Sequence, residues 1–435
     1  MSCTDMTETG SNRLVELRRG FHRHPEPGWR EFYTTHRLVE EIERIGVDEL
    51  AIGREAYDPS DRMAVLDDDA YEPWVERARE RGVDERVLDL TAGGATGCVA
   101  VLDRGEGPSI GLRVDIDGLF IQESDAATHR PADEGFRSEI DGTMHACGHD
   151  VHMTWGLAAL ERVRASDFSG RLTVFFQPAE EIGGGGYPMA RSRFIEGIDH
   201  LIAAHVGLDH PTGRVVAGIE RPLAMCHIDA AFEGTSAHAG KAPQAGENAM
   251  QALGSAISNA YGIARHGDGM TRVNLGYCEA GSASNVIADH ARVEAEARGE
   301  TTELMEYMKG RLRRVFEGAA HTHGCDLSFE VVSESPRVDS SPTLIDHVAA
   351  VAADVEGVDS IRPTADFGAS EDATFLMQRV QEAGGLATYL IVGTDHPGAH
   401  HTPTFDVDER SLRIGAEVIT KTILGLPEGP RRDRT

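Results

Sequence analysis

The chain has 435 residues and 40% hydrophobic content, more than one core usually fills, so two domains are expected. Its 72 acidic against 42 basic residues give a formal charge of −30, a field that repels nucleic acid and anionic membrane and argues against both as partners. No run of roughly eighteen apolar residues predicts a membrane span. The start, "MSCTDMTETG", lacks the basic and apolar regions of a signal peptide. The six cysteines, Cys3, Cys98, Cys147, Cys226, Cys278 and Cys325, lack the spacing of a disulfide framework or a zinc ribbon. A cytoplasmic protein with reduced thiols is expected. Lysine is confined to Lys241, Lys309 and Lys421 while arginine is not depleted, and acids are spread along the whole chain. That balance predicts a halophilic protein, because at molar salt screening shrinks to about 3 Å and dense surface acid is tolerated.

Residues 11 to 46 carry helical periodicity, interrupted by the turn "HPEPGW". A charged segment over 58 to 90 is predicted helical around "YEPWVERARERG". Two strand-like runs follow, "GCVAVLDRG" and "SIGLRVDIDG", on either side of the turn "GEGP". "VHMTWGLAALERVRAS" reads as a helix. "RLTVFFQPAEE", another helical stretch and "HLIAAHVG" come next. Apolar runs alternating with helices predict a largely parallel α/β sheet. Near residue 222 the pattern changes to a compact α+β series: "HIDAAFEG", a helix over 246 to 265, "TRVNLGYCEAG", "HARVEAEARG", a helix over 301 to 323 and "DLSFEVVSES". From about 335 the α/β pattern resumes with a helix, "ATYLIVGT", a His-rich loop and a final helix. The expected organisation is a discontinuous domain, 1–222 and 335–435, interrupted by a smaller one, 223–334.

Open α/β sheets place ligands beyond the carboxyl ends of their strands. Here those ends are polar: "IGLRVDID" ends in Asp115 and Asp117, "LTVFFQPAEE" in Glu180 and Glu181, "LIAAH" in His205, and "TYLIVG" leads into "TDHPGAHHTP" with His396, His400 and His401. The stretch "MHACGHDVHMT" adds His145, Cys147, His149, Asp150 and His152. A lone histidine is more often a packing or surface group than a ligand. Four strands converging with this cluster are better explained by a metal site. A cysteine nucleophile would need an orienting partner that the spacing does not establish, and a closed structural zinc site would want more thiolates. Asp150 also suits a helix N-terminus, and His145 and His152 suit packing or support of a ligand. Thiolate, imidazole and carboxylate together suit Zn, Mn, Co or Fe and disfavour Ca or Mg alone. More donors are present than one tetrahedral ion takes, which points to two ions, with one acid of "PAEE" left to move protons.

The motifs "LRVDIDGL", "MHACGHDVHMT", "FQPAEE", "AAHVG", "GTSAHAGKAPQAGENA", "SASNVIAD", "GASEDATFLM" and "HHTPTFDVDE" resemble, in order and over residues 14 to 425, the M20 metallopeptidase and amidohydrolase family. The similarity is to its bacterial-type amidohydrolase branch, which splits N-acyl amino acids. "AIGREAYDPSDRM", "TAGGATGCVAVLDRG", "DATHRP" and "EDATFLMQRVQ" are similar to members cleaving p-aminobenzoyl-glutamate. The resemblance implies a two-metal catalytic domain interrupted by a ferredoxin-like α+β lid and dimerisation domain. It implies two divalent ions per subunit, Zn or Mn, held by Cys147, His149, Glu181, His205 and His401, with Asp115 and Asp117 supporting the ligands. Glu180 matches the general base, His238 a lid histidine that reaches the substrate, often from a neighbouring subunit, and Asn285 a substrate contact. Arg298 is a weaker candidate for the substrate carboxylate, a surface salt bridge being its simpler role. Ile182 and "GGGG" at 183 to 186 depart from the family pattern and bear on the pocket. A small-molecule substrate, a homodimer or a heteromer with a homologous second subunit, and hydrolysis of N-acyl or aroyl amino acids follow as expectations. General N-acyl-amino-acid hydrolysis or dipeptidase activity is the alternative.

Overall fold

The structure, a computed structural model, describes residues 3–427. The described residues separate into two compact units, one of residues 3–220, 338–366 and 372–427, the other of residues 221–337 and 367–371.

The first unit is built on an eight-stranded sheet. Its strand order is Glu49–Ile52, Cys98–Asp103, Arg171–Gln177, Ser109–Asp115, His200–Val206, Leu386–Val392, Arg214–Val216 and Ser360–Arg362. The four central strands, from Arg171–Gln177 to Leu386–Val392, are mutually parallel. Their residues are almost all buried, which is why they read as continuous apolar runs rather than alternating ones. Because the four run the same way, their carboxyl ends lie side by side along one edge. Antiparallel pairings occur on either side, between Glu49–Ile52 and Cys98–Asp103, between Cys98–Asp103 and Arg171–Gln177, and between Leu386–Val392 and Arg214–Val216. The two strands flanking "GEGP" are not neighbours: Arg171–Gln177 lies between them.

The helix His149–Arg164 begins within the stretch "MHACGHDVHMT", two residues after Cys147. Gly148 precedes it at φ 94°, and a Cβ there would sit 2.3 Å from Val206 Cγ1, so glycine lets this turn seat against the His205 strand. Nearly all of the helix is buried, and Trp155 Nε1 donates to the Leu412 carbonyl at 3.1 Å, tying it to the helix Arg410–Gly425.

The second unit has a four-stranded antiparallel sheet, in the order Asp326–Ser335, Ala224–Glu233, His290–Gly299 and Thr271–Ala280. Alternate residues of Ala224–Glu233, among them Cys226, Ile228, Ala230 and Phe232, are buried with Leu253, Met308, Leu312 and Phe316 from the helices Ala249–Ala260 and Thr302–His323. Of these, Ile228, Phe232, Leu253, Met308, Leu312 and Phe316 each contribute on the order of 1.5–3 kcal/mol. Asn248 and Thr301 cap the two helices by accepting from the Gln251 and Leu304 amides, and Gly324 ends the second at φ 71°.

Candidate metal centre

The parallel sheet edge brings its polar residues together. Donor atoms of Cys147, His149 and His205 lie within 4.8 Å of one another, as do those of Cys147, Glu181 and His401, and those of His149, Glu180 and Glu181. The first two groups share Cys147. Its Sγ approaches His205 Nε2 at 3.4 Å and His400 Nδ1 at 3.7 Å.

Hydrogen bonds fix which ring nitrogens face the cluster. His149 Nδ1 donates to Asp117 Oδ1 at 3.1 Å, leaving Nε2 with its lone pair inward. That nitrogen is buried without a hydrogen-bond partner, 3.7 Å from Asp115 Oδ1, 3.7 Å from Glu181 Oε1 and 3.9 Å from Glu180 Oε2. Glu181 Oε1 is likewise buried without a partner. A lone pair facing carboxylate oxygens beyond hydrogen-bond reach fits a gap shaped for a cation. His205 Nδ1 donates to the Val206 carbonyl at 2.7 Å, turning its Nε2 towards Cys147. A histidine whose outer nitrogen is held by a carboxylate or carbonyl is the usual arrangement of a metal ligand.

The electrostatics agree. Burial opposes a charge on His149, but Asp115 and Asp117 outweigh it and push the imidazole up to about 10. Burial, with the charges of Asp117 and Asp115, pushes Glu181 up to about 8 although His149 pulls the other way. Both directions express a shortage of positive charge.

His152 differs. Its Nδ1 donates to Asp115 and its Nε2 accepts from the Val206 amide at 2.9 Å, so both ring nitrogens are occupied and it supports rather than ligates. Asp115 also accepts from Arg113 at 2.8 Å, and Asp117 Oδ2 accepts from the Glu181 amide at 3.1 Å. His401 is exposed, sits at φ 60° and brings Nε2 to 3.4 Å from Glu181 Oε2. His396 donates to the Gly398 carbonyl and packs edge-on against the His400 ring, with centroids 5.3 Å apart. His145 is buried and held uncharged, its imidazole lowered to about 3 chiefly by burial.

In the second unit, His238 and Asn285 are exposed and occupy adjoining loops, joined by the Ala239 amide donating to the Asn285 carbonyl at 3.0 Å. The Gly240 amide donates to His238 Nδ1 at 3.1 Å, so in the neutral ring Nε2 carries the hydrogen and is a donor. Arg298 is engaged with Glu296 through two hydrogen bonds of 2.7 and 2.8 Å.

Residues 111–425 match the family model described as "Peptidase family M20/M25/M40". The chain belongs to this family. It is a hydrolase of amide bonds. It is 38% identical over 418 residues to the indole-3-acetyl-aspartic acid hydrolase of Enterobacter agglomerans, covering 95% of this chain and 96% of that one. It is 37% identical to one subunit of the p-aminobenzoyl-glutamate hydrolase of Escherichia coli strain K12, over 95% and 96% of the two chains. Among solved structures, the aminobenzoyl-glutamate utilization protein from Klebsiella pneumoniae superposes with a TM-score of 0.84 at 31% identity, covering 98% of this chain and 99% of that one.

The sequence names His400 and Asp150 without their partners, and gives Glu31 no role. His400 accepts from the Leu208 amide at Nε2, so Nδ1–H faces the Cys147 sulfur as a donor. Asp150 is clamped by Arg18 Nε and His22 Nδ1, both at 2.8 Å, beneath the start of the His149 helix. Glu31 reaches the backbone of the glutamate turn. The Arg18 and Glu31 contacts span more than a hundred residues, and nothing in local pattern announces them.

Proposed function

We propose that the chain hydrolyses the amide bond between an aromatic acyl group and an acidic amino acid, in compounds of the p-aminobenzoyl-glutamate kind, using two divalent ions. The observation that carries the two-ion reading is the orphaned His149 Nε2 among carboxylates, within donor groups that overlap at Cys147. Cys147, His149, Glu181, His205 and His401 would hold the ions, of which Zn and Mn suit this mixture of thiolate, imidazole and carboxylate. The substrate class is supported by the relatives, whose names join p-aminobenzoyl to glutamate and indole-3-acetyl to aspartic acid.

When bound, such ions polarise an amide carbonyl and make water a better nucleophile. Glu180 accepts a proton from the attacking water as the new C–O bond forms. It passes that proton to the amide nitrogen as the C–N bond breaks, releasing a carboxylic acid and a free amine. His238 donates Nε2–H to the carbonyl oxygen as negative charge develops there. Asn285 contacts the substrate. Asp115 and Asp117 fix His152 and His149 and keep the donors from turning.

The proposed assembly is a homodimer. A heteromer with a homologous second subunit is the alternative, supported by relatives whose names make them one subunit of a larger hydrolase. No helix among the described residues is long and apolar enough to cross a membrane, which fits the proposed cytoplasmic location.

Glu180→Gln should keep metal and KM while kcat falls at least about a hundredfold, the scale of losing a general base. Near-normal turnover overturns the assignment. Comparing p-aminobenzoyl-glutamate with N-acetyl amino acids and dipeptides tests the substrate class. Higher kcat/KM for either competitor would reject it.

A further inference from the structure

Glu31 is wholly buried in the loop between the first two helices, and the proposed chemistry does not use it. Its carboxyl group takes two hydrogen bonds, one from the Ala179 amide to Oε1 at 2.7 Å and one from Thr96 Oγ1 to Oε2 at 2.6 Å. Ala179 immediately precedes Glu180 and Glu181. It is held at φ 55°, a left-handed conformation that costs a non-glycine residue on the order of 1–2 kcal/mol and persists only where the surroundings enforce it.

The enforcement is visible along the whole turn. The Glu181 amide donates to Asp117 Oδ2 at 3.1 Å, and the Gly186 amide to Asp372 Oδ2 at 2.8 Å. The Gly183 and Gly184 amides close back onto the Glu180 and Ala179 carbonyls. Buried carboxyl groups therefore grip the loop at 179, 181 and 186, and Glu31 holds the residue that sets the direction of both glutamates. Thr96 is positioned by the next residue: Gly97, at φ 81°, packs so close to Pro178 that a Cβ would lie 2.6 Å from the proline ring.

We infer that Glu31 is a positioning residue, which fixes the Ala179 turn through its backbone amide and so aims Glu180 at the substrate. The inference rests on Glu180 being the proton carrier. Removing the grip should lower turnover while leaving substrate and metal affinity nearly intact, since the Glu181 amide keeps its own hold on Asp117 Oδ2 and the other donors stand on other segments.

The burial that isolates Glu31, together with the charge of Asp117, pushes its carboxyl up to about 8. A neutral group of the same shape should therefore serve. Glutamine can accept from the Ala179 amide at its carbonyl oxygen and donate to the Thr96 hydroxyl from its amide nitrogen. Leucine offers neither bond, and aspartate keeps the acid but loses the reach.

The experiment compares metal-loaded Glu31→Gln, Glu31→Leu and Glu31→Asp for kcat, KM, metal content and melting temperature, alongside Glu180→Gln. Glu31→Gln should stay within about threefold of wild-type kcat. Glu31→Leu and Glu31→Asp should lose about ten- to a hundredfold in kcat, as misplacing a catalytic group by about 1 Å does. Their KM should move by less than about threefold and their metal content should be unchanged. A purely structural role would lower melting temperature without touching kcat. Wild-type kcat in Glu31→Asp, a Glu31→Gln variant as slow as Glu31→Asp, or a kcat loss matched by metal loss overturns the inference. If the leucine variant does not fold, the glutamine and aspartate pair decides. An active Glu180→Gln overturns the identity of the base itself. An inactive Glu180→Gln beside a fully active Glu31→Asp overturns only the positioning role.

Discussion

Replacing Arg18 with methionine should destabilise the first unit by about 3 kcal/mol, the lower end of the 3–5 kcal/mol cost of removing one partner from a buried ion pair. The guanidinium is wholly buried. Nε meets Asp150 Oδ2 and one terminal nitrogen meets Asp406 Oδ1, each at 2.8 Å. Methionine fills similar space but leaves two buried carboxylates short of a cation. The cost sits at the lower end because Asp150 keeps His22 at 2.8 Å and Asp406 keeps Arg130 at 2.6 Å. For a unit of this size about 3 kcal/mol corresponds to a fall in Tm of about 5 °C. Unfolding should be followed at one fixed free metal concentration, because bound ligand adds its own stabilisation. Asp406→Asn alone and in combination completes the cycle. Since the residues touch, the double variant should be less destabilised than the sum by at least about 1 kcal/mol. A single variant within about 1 kcal/mol of wild type, combined with strict additivity, would refute the reasoning and leave Arg18 as a packing residue.

Cys147→Ala or Glu181→Ala should each lose at least one of close to two divalent ions per chain, read by metal analysis; full occupancy in both would sink the ligand assignment. Glu26 is buried and accepts from the Tyr33 and Thr34 amides at 3.1 and 2.7 Å, at the start of the helix Phe32–Ile45. Burial raises it from 4.5 to about 7, so the folded state binds the proton more tightly than the unfolded one. Its contribution is full below about pH 4.5 and lost as pH rises through about 7. The stability of wild type relative to Glu26→Gln should therefore fall from about pH 5 to about pH 8, and a constant difference across that range contradicts the assignment. We further propose that the acid-rich surface is an adaptation to salt. On that reading Tm should climb as KCl approaches molar levels, and a flat or falling melt rejects it.

The core of the site was legible because its signal is local. Each central strand is a short apolar run, and the residue types just beyond it, Asp115, Asp117, Glu180, Glu181 and His205, are ones a run of that kind does not otherwise end on. The motif around Cys147 added the rest. Pairing was less legible. "GEGP" joins two strands that the fold separates by Arg171–Gln177, and a turn signal cannot report a strand that intervenes from seventy residues away. The strands Arg214–Val216 and Ser360–Arg362 are too short to show a period at all. Choosing between His400 and His401 needs tautomers, which depend on the Leu208 amide and on Glu181, neither adjacent in sequence. Glu31 falls just past the turn "HPEPGW" in a stretch that shows only helical periodicity, since the hydrogen bond that gives it a role crosses 148 positions.

Charge balance favours two ions over one. Asp115, Asp117, Glu180 and Glu181, with Cys147 as the thiolate that ligation requires, bring five negative charges to one edge of the sheet. Arg113 lies 2.8 Å from Asp115 but also 3.0 Å from Asp372, so its charge is shared with a further carboxylate and the negative excess is more than one divalent cation carries. With a single divalent ion, negative charge would stay uncompensated beside Glu181, whose carboxyl is already pushed up by burial and by Asp117 and Asp115. The donors divide the same way, because the Cys147–His149–His205 group and the Cys147–Glu181–His401 group overlap only at the sulfur. A thiolate at the shared position also bears on identity. Sulfur in a set with imidazole suits zinc better than manganese, which prefers oxygen, so the presence of cysteine at 147 tilts the choice between the two proposed metals towards zinc.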